Sequence, residues 1–133
     1  MKNILVVTSG IVVMILSTTT HAGSREDLLT QYAAAAKTSG FSAARGQTLH
    51  TQNFSGGKPD TPSCTTCHGE DTRGAGRALT GKTIEPVAVS VTPTRYTDPT
   101  KVEKWLKRNC TEVLGRECTP QEKGDWLTFV IGQ

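Results

Sequence analysis

The sequence predicts an all-α protein, and three observations carry that assignment. Ser or Thr is followed three positions later by an acidic residue, the signature of a helix start, at Ser24–Asp27, Thr100–Glu103 and Thr119–Glu122. Apolar residues recur at helical spacing, as in Val102, Trp105 and Leu106, while no stretch keeps the strict alternation of a half-buried strand. Between these regions, Gly69, Gly74, Gly76 and Gly81 with Pro86 and Pro93 break the chain too often for long regular elements.

The N-terminal segment is expected to contribute nothing to the fold. Lys2 precedes an apolar run from Ile4 to Leu16, and a polar stretch then ends in Thr20-His21-Ala22. A basic start, a short apolar centre and small residues three and one before a cut form a secretory signal. A bilayer span needs about 20 apolar residues, so this run is expected to direct export to the periplasm rather than to anchor the chain. Residues 1–22 thus read as a signal peptide and residues 23–133 as one domain. The formal net charge of the full chain is +3, and Lys2 leaves with the signal. No run of five like charges and no basic stripe with interleaved aromatics is present, which sets nucleic-acid binding aside.

The elements follow in order. The first helix should open at Ser24, place Leu28, Leu29, Tyr32, Ala33 and Ala36 on one face, and end at Gly40. A second should start at Ser42 and run through Leu49 to about His50. Residues 51–63, rich in Gly, Pro and Asn, read as a loop. The third helix, after Asp98-Pro99, should open at Thr100 and set Val102, Trp105, Leu106 and Asn109 on an inward stripe. The last should open at Thr119, with Pro120 at its first position, and bury Trp126, Leu127, Phe129 and Val130. The aromatics are only Tyr32, Phe41, Phe54, Tyr96, Trp105, Trp126 and Phe129. So thin a core leaves room for something other than side chains in the interior.

The cysteines say what fills it. Cys64-Thr65-Thr66-Cys67-His68 is the C-x-x-C-H pattern of covalent c-type haem attachment. Two thiols at this spacing meet the two vinyl groups of one porphyrin, and the next imidazole reaches the iron from one face. A zinc site would need a second close pair, yet Cys110 and Cys118 stand eight apart. A thioredoxin-like redox pair would need a strand before it and a helix after. The flanks here are Lys58-Pro59-Asp60-Thr61-Pro62-Ser63 and Gly69-Glu70-Asp71. Cys110 and Cys118, in an oxidising compartment, are expected to form a disulfide; buried thiols or a bond to a partner are the alternatives.

Function turns on the sixth coordination position. An ordinary electron-carrier cytochrome c places methionine sulfur there. Both methionines, Met1 and Met14, leave with the signal, so the mature domain has none. His50 would give a bis-histidine carrier, although a partly exposed helix-end histidine is the plainer reading. A lysine, Asn53 or a water are further candidates without distinguishing context. Asn109 stands on the inward stripe, where a buried amide must find a partner or cost about 1–3 kcal/mol. From spacing alone, a ligand role and a helix C-terminal cap are equally open for it.

The segment Lys101-Val-Glu-Lys-Trp-Leu-Lys-Arg-Asn-Cys110, with Val113-Leu-Gly-Arg-Glu-Cys118-Thr-Pro-Gln-Glu-Lys-Gly-Asp125, resembles the sphaeroides haem protein (SHP) family of small periplasmic monohaem cytochromes c. Gly46, Leu49 and Tyr96-Thr97-Asp98 fit the same resemblance, which covers nearly the whole mature chain. It implies a class I cytochrome c fold around one covalent haem c, with Cys64, Cys67 and His68 as attachment and proximal residues and Asn109 as the distal ligand. It further implies a disulfide between Cys110 and Cys118, and departure of the asparagine on reduction, which admits oxygen, nitric oxide or carbon monoxide. A dihaem cytochrome c is the implied electron donor. Such a protein is expected to be a gas-binding oxidoreductase, a simple electron shuttle, or a gas sensor or carrier without turnover. Lys101, Lys104, Lys107 and Arg108 are candidates for steering an acidic partner. Arg95 and Tyr96 are candidates for bonding the haem propionates.

Overall fold

The computed structural model describes residues 22–133, so the expected signal segment, up to its last residue, lies outside the described residues. The chain runs α1 (Ala22–Ala36), α2 (Ala43–Thr51), α3 (Thr65–His68), β1 (Gly76–Arg77), β2 (Thr83–Ile84), α4 (Pro99–Leu114) and α5 (Pro120–Ile131). The fold is all-α but for one antiparallel pair of two-residue strands, with Gly76 opposite Ile84 and Arg77 opposite Thr83. That ribbon is too short to leave an alternating pattern.

Capping fixes the helix starts. Ser42 accepts a hydrogen bond from the Arg45 amide at 3.2 Å and opens α2 where expected. Thr119 and Glu122 exchange both bonds of a capping box at the start of α5, with Pro120 in the first turn. Two expectations are corrected. Asp98, not Thr100, caps α4, accepting from the Lys101 amide at 3.1 Å, because Pro99 is already helical at the first position. Ser24 lies inside α1 rather than at its cap, and that helix ends at Ala36, before Gly40, because Lys37 adopts φ 53°.

The framework is α2 crossing α5, with α1 packed on α5 as well. Gly46 permits this crossing: a Cβ there would meet the Asp125 carbonyl oxygen at 2.1 Å and Phe129 Cβ at 2.8 Å. Asp125, buried, fastens the same junction. Its carboxylate accepts from the Ser42 amide at 2.7 Å and from Arg45 Nε and Nη2 at 2.7 and 2.8 Å.

One apolar cluster gathers Leu28, Tyr32, Val87, Leu106, Leu127 and Val130 between α1, α4 and α5. Each such large side chain removed from water contributes about 1.5–3 kcal/mol. A second cluster, Cys110, Val113, Leu114 and Cys118, receives Leu49, Phe54 and Cys64 from the α2–α3 side. The loop between α2 and α3 is tied to α4: the Lys58 amide and the Thr61 hydroxyl donate to the Glu112 carbonyl at 2.7 and 3.3 Å. Cys64 is thereby brought against α4. Among the described residues, no helix is long and apolar enough to cross a membrane.

Candidate functional site: a haem cleft between two clusters

The two clusters leave a cleft between them that is partly open to solvent. Cofactor sites are commonly clefts with mainly apolar walls. Leu49, Leu106, Leu114 and Trp126 supply the apolar lining, and the Cys110–Cys118 pair forms a further part of the wall. Cys64 and His68 border it from α3, and Asn109 borders it from α4. Three residues singled out in the sequence, 41 positions apart between His68 and Asn109, thus meet at one cavity.

Cys64 and Cys67 are both free thiols, separated by less than one helical turn. Cys67 does not border the cleft directly. Burial pushes the Cys64 thiol up to about 11, so it is held as the neutral thiol. Burial, reinforced by neighbouring His50 and Arg95, pushes His68 down to about 4. Its imidazole is therefore neutral near pH 7 and offers a nitrogen lone pair, the form that binds iron. Two thiols and a neutral imidazole on one short turn, with Cys64 and His68 bordering an apolar cleft, suit a covalently attached haem.

Asn109 is half-buried in the middle of the second half of α4. The helix continues to Leu114 and is closed by Gly115 in the left-handed region at φ 76°, so Asn109 is not a C-terminal cap. Cys110, the next residue, is bonded to Cys118, with Cα atoms 5.5 Å apart. The inward stripe of α4 differs from expectation in one member. Val102, Leu106, Cys110, Val113 and Leu114 are buried, whereas Trp105 is 44 % exposed and lies under the Arg108 guanidinium at 5.4 Å. Position 105 lies on the outer edge of the stripe, and stacking with Arg108 accounts for it there.

The other ligand candidates lie away from the cleft or are engaged by other side chains. Asn53 is exposed in its loop. Lys123 does border the cleft, although no local pattern singles it out, but its Nζ is paired with Glu103 at 2.7 Å. Glu103 also accepts from the Tyr32 hydroxyl, which places the Lys123 charge at the end of a side-chain chain from α1. His50 is 0 % exposed, not a partly exposed helix end, and it does not line the cleft. Arg95 and Tyr96 bond backbone carbonyls: Arg95 Nε donates to Pro86 at 2.7 Å and the Tyr96 hydroxyl to Val87 at 2.8 Å. Lys101, Lys104, Lys107 and Arg108 lie on the exposed face of α4, with Lys107 paired to Glu117 at 2.9 Å.

Comparison with known proteins agrees with this geometry. Residues 36–130 match the family described as domain of unknown function DUF1924. The chain is 57% identical over 91 residues to the cytochrome c-type protein SHP of Cereibacter sphaeroides, covering 68% of this chain and 70% of that protein. It is 30% identical over 87 residues to cytochrome c'' of Methylophilus methylotrophus, covering 65% of this chain and 60% of that protein. The structure of oxidized SHP, an oxygen-binding cytochrome c, superposes with a TM-score of 0.79 at 52% identity, covering 82% of this chain and 96% of that one. The crystal structure of oxidized cytochrome c'' gives 0.70 at 27% identity, with coverage of 84% and 95%. A solution structure of that second protein bears on haem-ligand detachment and matches equally. The fold, the cleft and these likenesses agree: the chain belongs to the DUF1924 family of SHP-like monohaem cytochromes c, with one covalently bound haem c.

Proposed function

We propose that this cytochrome binds small diatomic molecules at a position that Asn109 guards and vacates on reduction. Cys64 and Cys67 hold the haem covalently, His68 is the proximal ligand, and Asn109 is the distal one. The observation that carries the reading is that His68 and Asn109, from different helices, border one apolar cleft. The haem supplies an iron whose sixth position can exchange ligands. An amide oxygen is a hard, weak donor, better matched to ferric than to ferrous iron. Asn109 therefore holds best in the oxidised protein and lets go on reduction. No side-chain hydrogen bond holds its amide elsewhere among the described residues. Its neighbour Cys110, tied to Cys118, limits how far the backbone beneath it can move.

The oxygen binding of SHP and the ligand detachment considered for cytochrome c'' support the same reading. Export fits as well: a chain cut after Ala22 carries no methionine to compete for the site and would work in the periplasm. A dihaem cytochrome c is the proposed electron donor. The gas-binding reading is tested by titrating the reduced protein with carbon monoxide. Ready formation of a carbonyl spectrum is expected, and resistance to it would leave a plain electron shuttle. Consumption of oxygen or nitric oxide with a reductant then separates an oxidoreductase from a carrier or sensor.

A further inference from the structure

His50 has no part in the site as derived so far, yet it is among the most buried polar residues of the domain, 0 % exposed near the end of α2. Its ring is held at both nitrogens. Trp126 Nε1 lies 3.3 Å from Nδ1, and the Gly69 carbonyl oxygen lies 3.2 Å from Nε2. An indole nitrogen only donates and a carbonyl oxygen only accepts. Both bonds form together only in the neutral tautomer that carries its proton on Nε2. Burial, which lowers the affinity of His50 for a second proton, agrees with that form.

The backbone of the same residue is engaged too. The Ser63 hydroxyl, itself buried, donates to the His50 carbonyl at 3.1 Å and lies 2.9 Å from the Thr65 hydroxyl. Ser63 immediately precedes Cys64, and Gly69 immediately follows His68. One residue thus grips the Cys64–His68 turn from both flanks. Gly69 stands at φ 73° and ψ 171°, a backbone conformation essentially reserved for glycine, so only a glycine presents its carbonyl here without strain. The His50 ring also packs beside His68, with centroids 6.3 Å apart and planes inclined by 32°, and against Phe129 at 5.7 Å.

We propose that His50 is a positioning residue: by bonding Gly69 through its ring and Ser63 through its carbonyl, it fixes the haem-attachment turn and the orientation of the His68 imidazole. The inference rests on His68 being the proximal ligand. Groups one step behind a metal ligand set its orientation and basicity, and through them the electronic character of the metal. Trp126, which borders the cleft, extends the grip to α5.

The test compares haem-loaded wild type with His50→Phe, which fills the space without either ring bond, and His50→Gln, whose amide can still donate to Gly69. A haemochrome spectrum first establishes covalent haem; its absence from the wild type would overturn the haem reading itself, not this one. Two readouts follow on ferric protein: the spread of haem methyl shifts in proton NMR, which depends on the axial imidazole plane, and the midpoint potential. His50→Phe is expected to shift both, with His50→Gln recovering more than half of each shift. A folded, loaded His50→Phe protein with both readouts unchanged would overturn the proposal, as would equal shifts in the two variants. If His50→Phe does not fold, Ser63→Ala removes the bond to the His50 carbonyl from a side chain that does not border the cleft. It should shift both readouts by less than full loss of the ring, and wild-type values would again overturn the proposal.

Discussion

Replacing Gly46 by alanine gives a test whose sign is set by the structure. In an isolated helix the change would stabilise, by about 1 kcal/mol, because glycine is the poorer helix former. Here the added Cβ would lie 2.1 Å from the Asp125 carbonyl oxygen, 2.6 Å from its carbon and 2.8 Å from Phe129 Cβ. Two of these atoms belong to the backbone of α5, so no rotamer change relieves the clash. The helices must part by about 1 Å in an interior that has little slack. Overpacking of this kind costs typically about 1–3 kcal/mol, and contact with backbone belongs at the upper end. Parting α2 from α5 also stretches the Asp125 bonds to Ser42 and Arg45. Allowing for the gain in propensity, the net loss is about 2 kcal/mol. At about 4 °C per kcal/mol for a domain of this size, Tm should fall by roughly 8 °C. Thermal unfolding of the ferric holoprotein, followed by far-ultraviolet circular dichroism, reads this directly. A Tm equal to or above wild type would refute the close crossing of α2 and α5.

Two more predictions follow from the same junction and from the wall of the cleft. Burial alone would raise the Asp125 carboxyl, but hydrogen bonds from Arg45, the Ser42 amide and Gln121 hold it below the usual carboxylate range. Its contribution to stability is therefore present above the unfolded value of 3.8 and is lost as pH falls through the lower folded value. Asp125→Asn should flatten the acid limb of the stability–pH curve, and an unaltered limb in acid titration would contradict the role. Cys110→Ser with Cys118→Ser opens a loop closed across eight residues, whose closure contributes about 2–3 kcal/mol in the chain-entropy account. The pair should also change the rate at which the sixth ligand returns after photolysis of the carbonyl. Unchanged return kinetics would remove the disulfide from the gating mechanism.

What the sequence revealed of this fold, and what it concealed, divides along the range of the interactions. Ser42, Thr119 and Glu122 announce helix starts because a cap is a bond between residues three apart. The Thr100 signature misleads by two positions because Asp98 and Pro99 form a competing and better start just upstream. The C-x-x-C-H motif was legible because two thiols and an imidazole fall within one turn. Spacing alone places Trp105 inward, but it lies at the stripe's margin, where Arg108 one turn later can cover it. His50 was unreadable for a different reason. Its partners, Trp126 and Gly69, lie 76 and 19 positions away, and nothing local reveals that α2 brings it between them. Lys123 is illegible likewise, since its place on the cleft depends on how α5 packs against α2 and α1.

The central claim is that Asn109 is a distal ligand that yields on reduction. It is tested most directly by the optical and electron paramagnetic resonance spectra of ferric Asn109→Ala beside those of the wild type. Loss of the amide should change the ferric spectrum, while the two ferrous spectra, from which the asparagine has already withdrawn, should nearly coincide. A ferric spectrum untouched by the substitution would contradict the account.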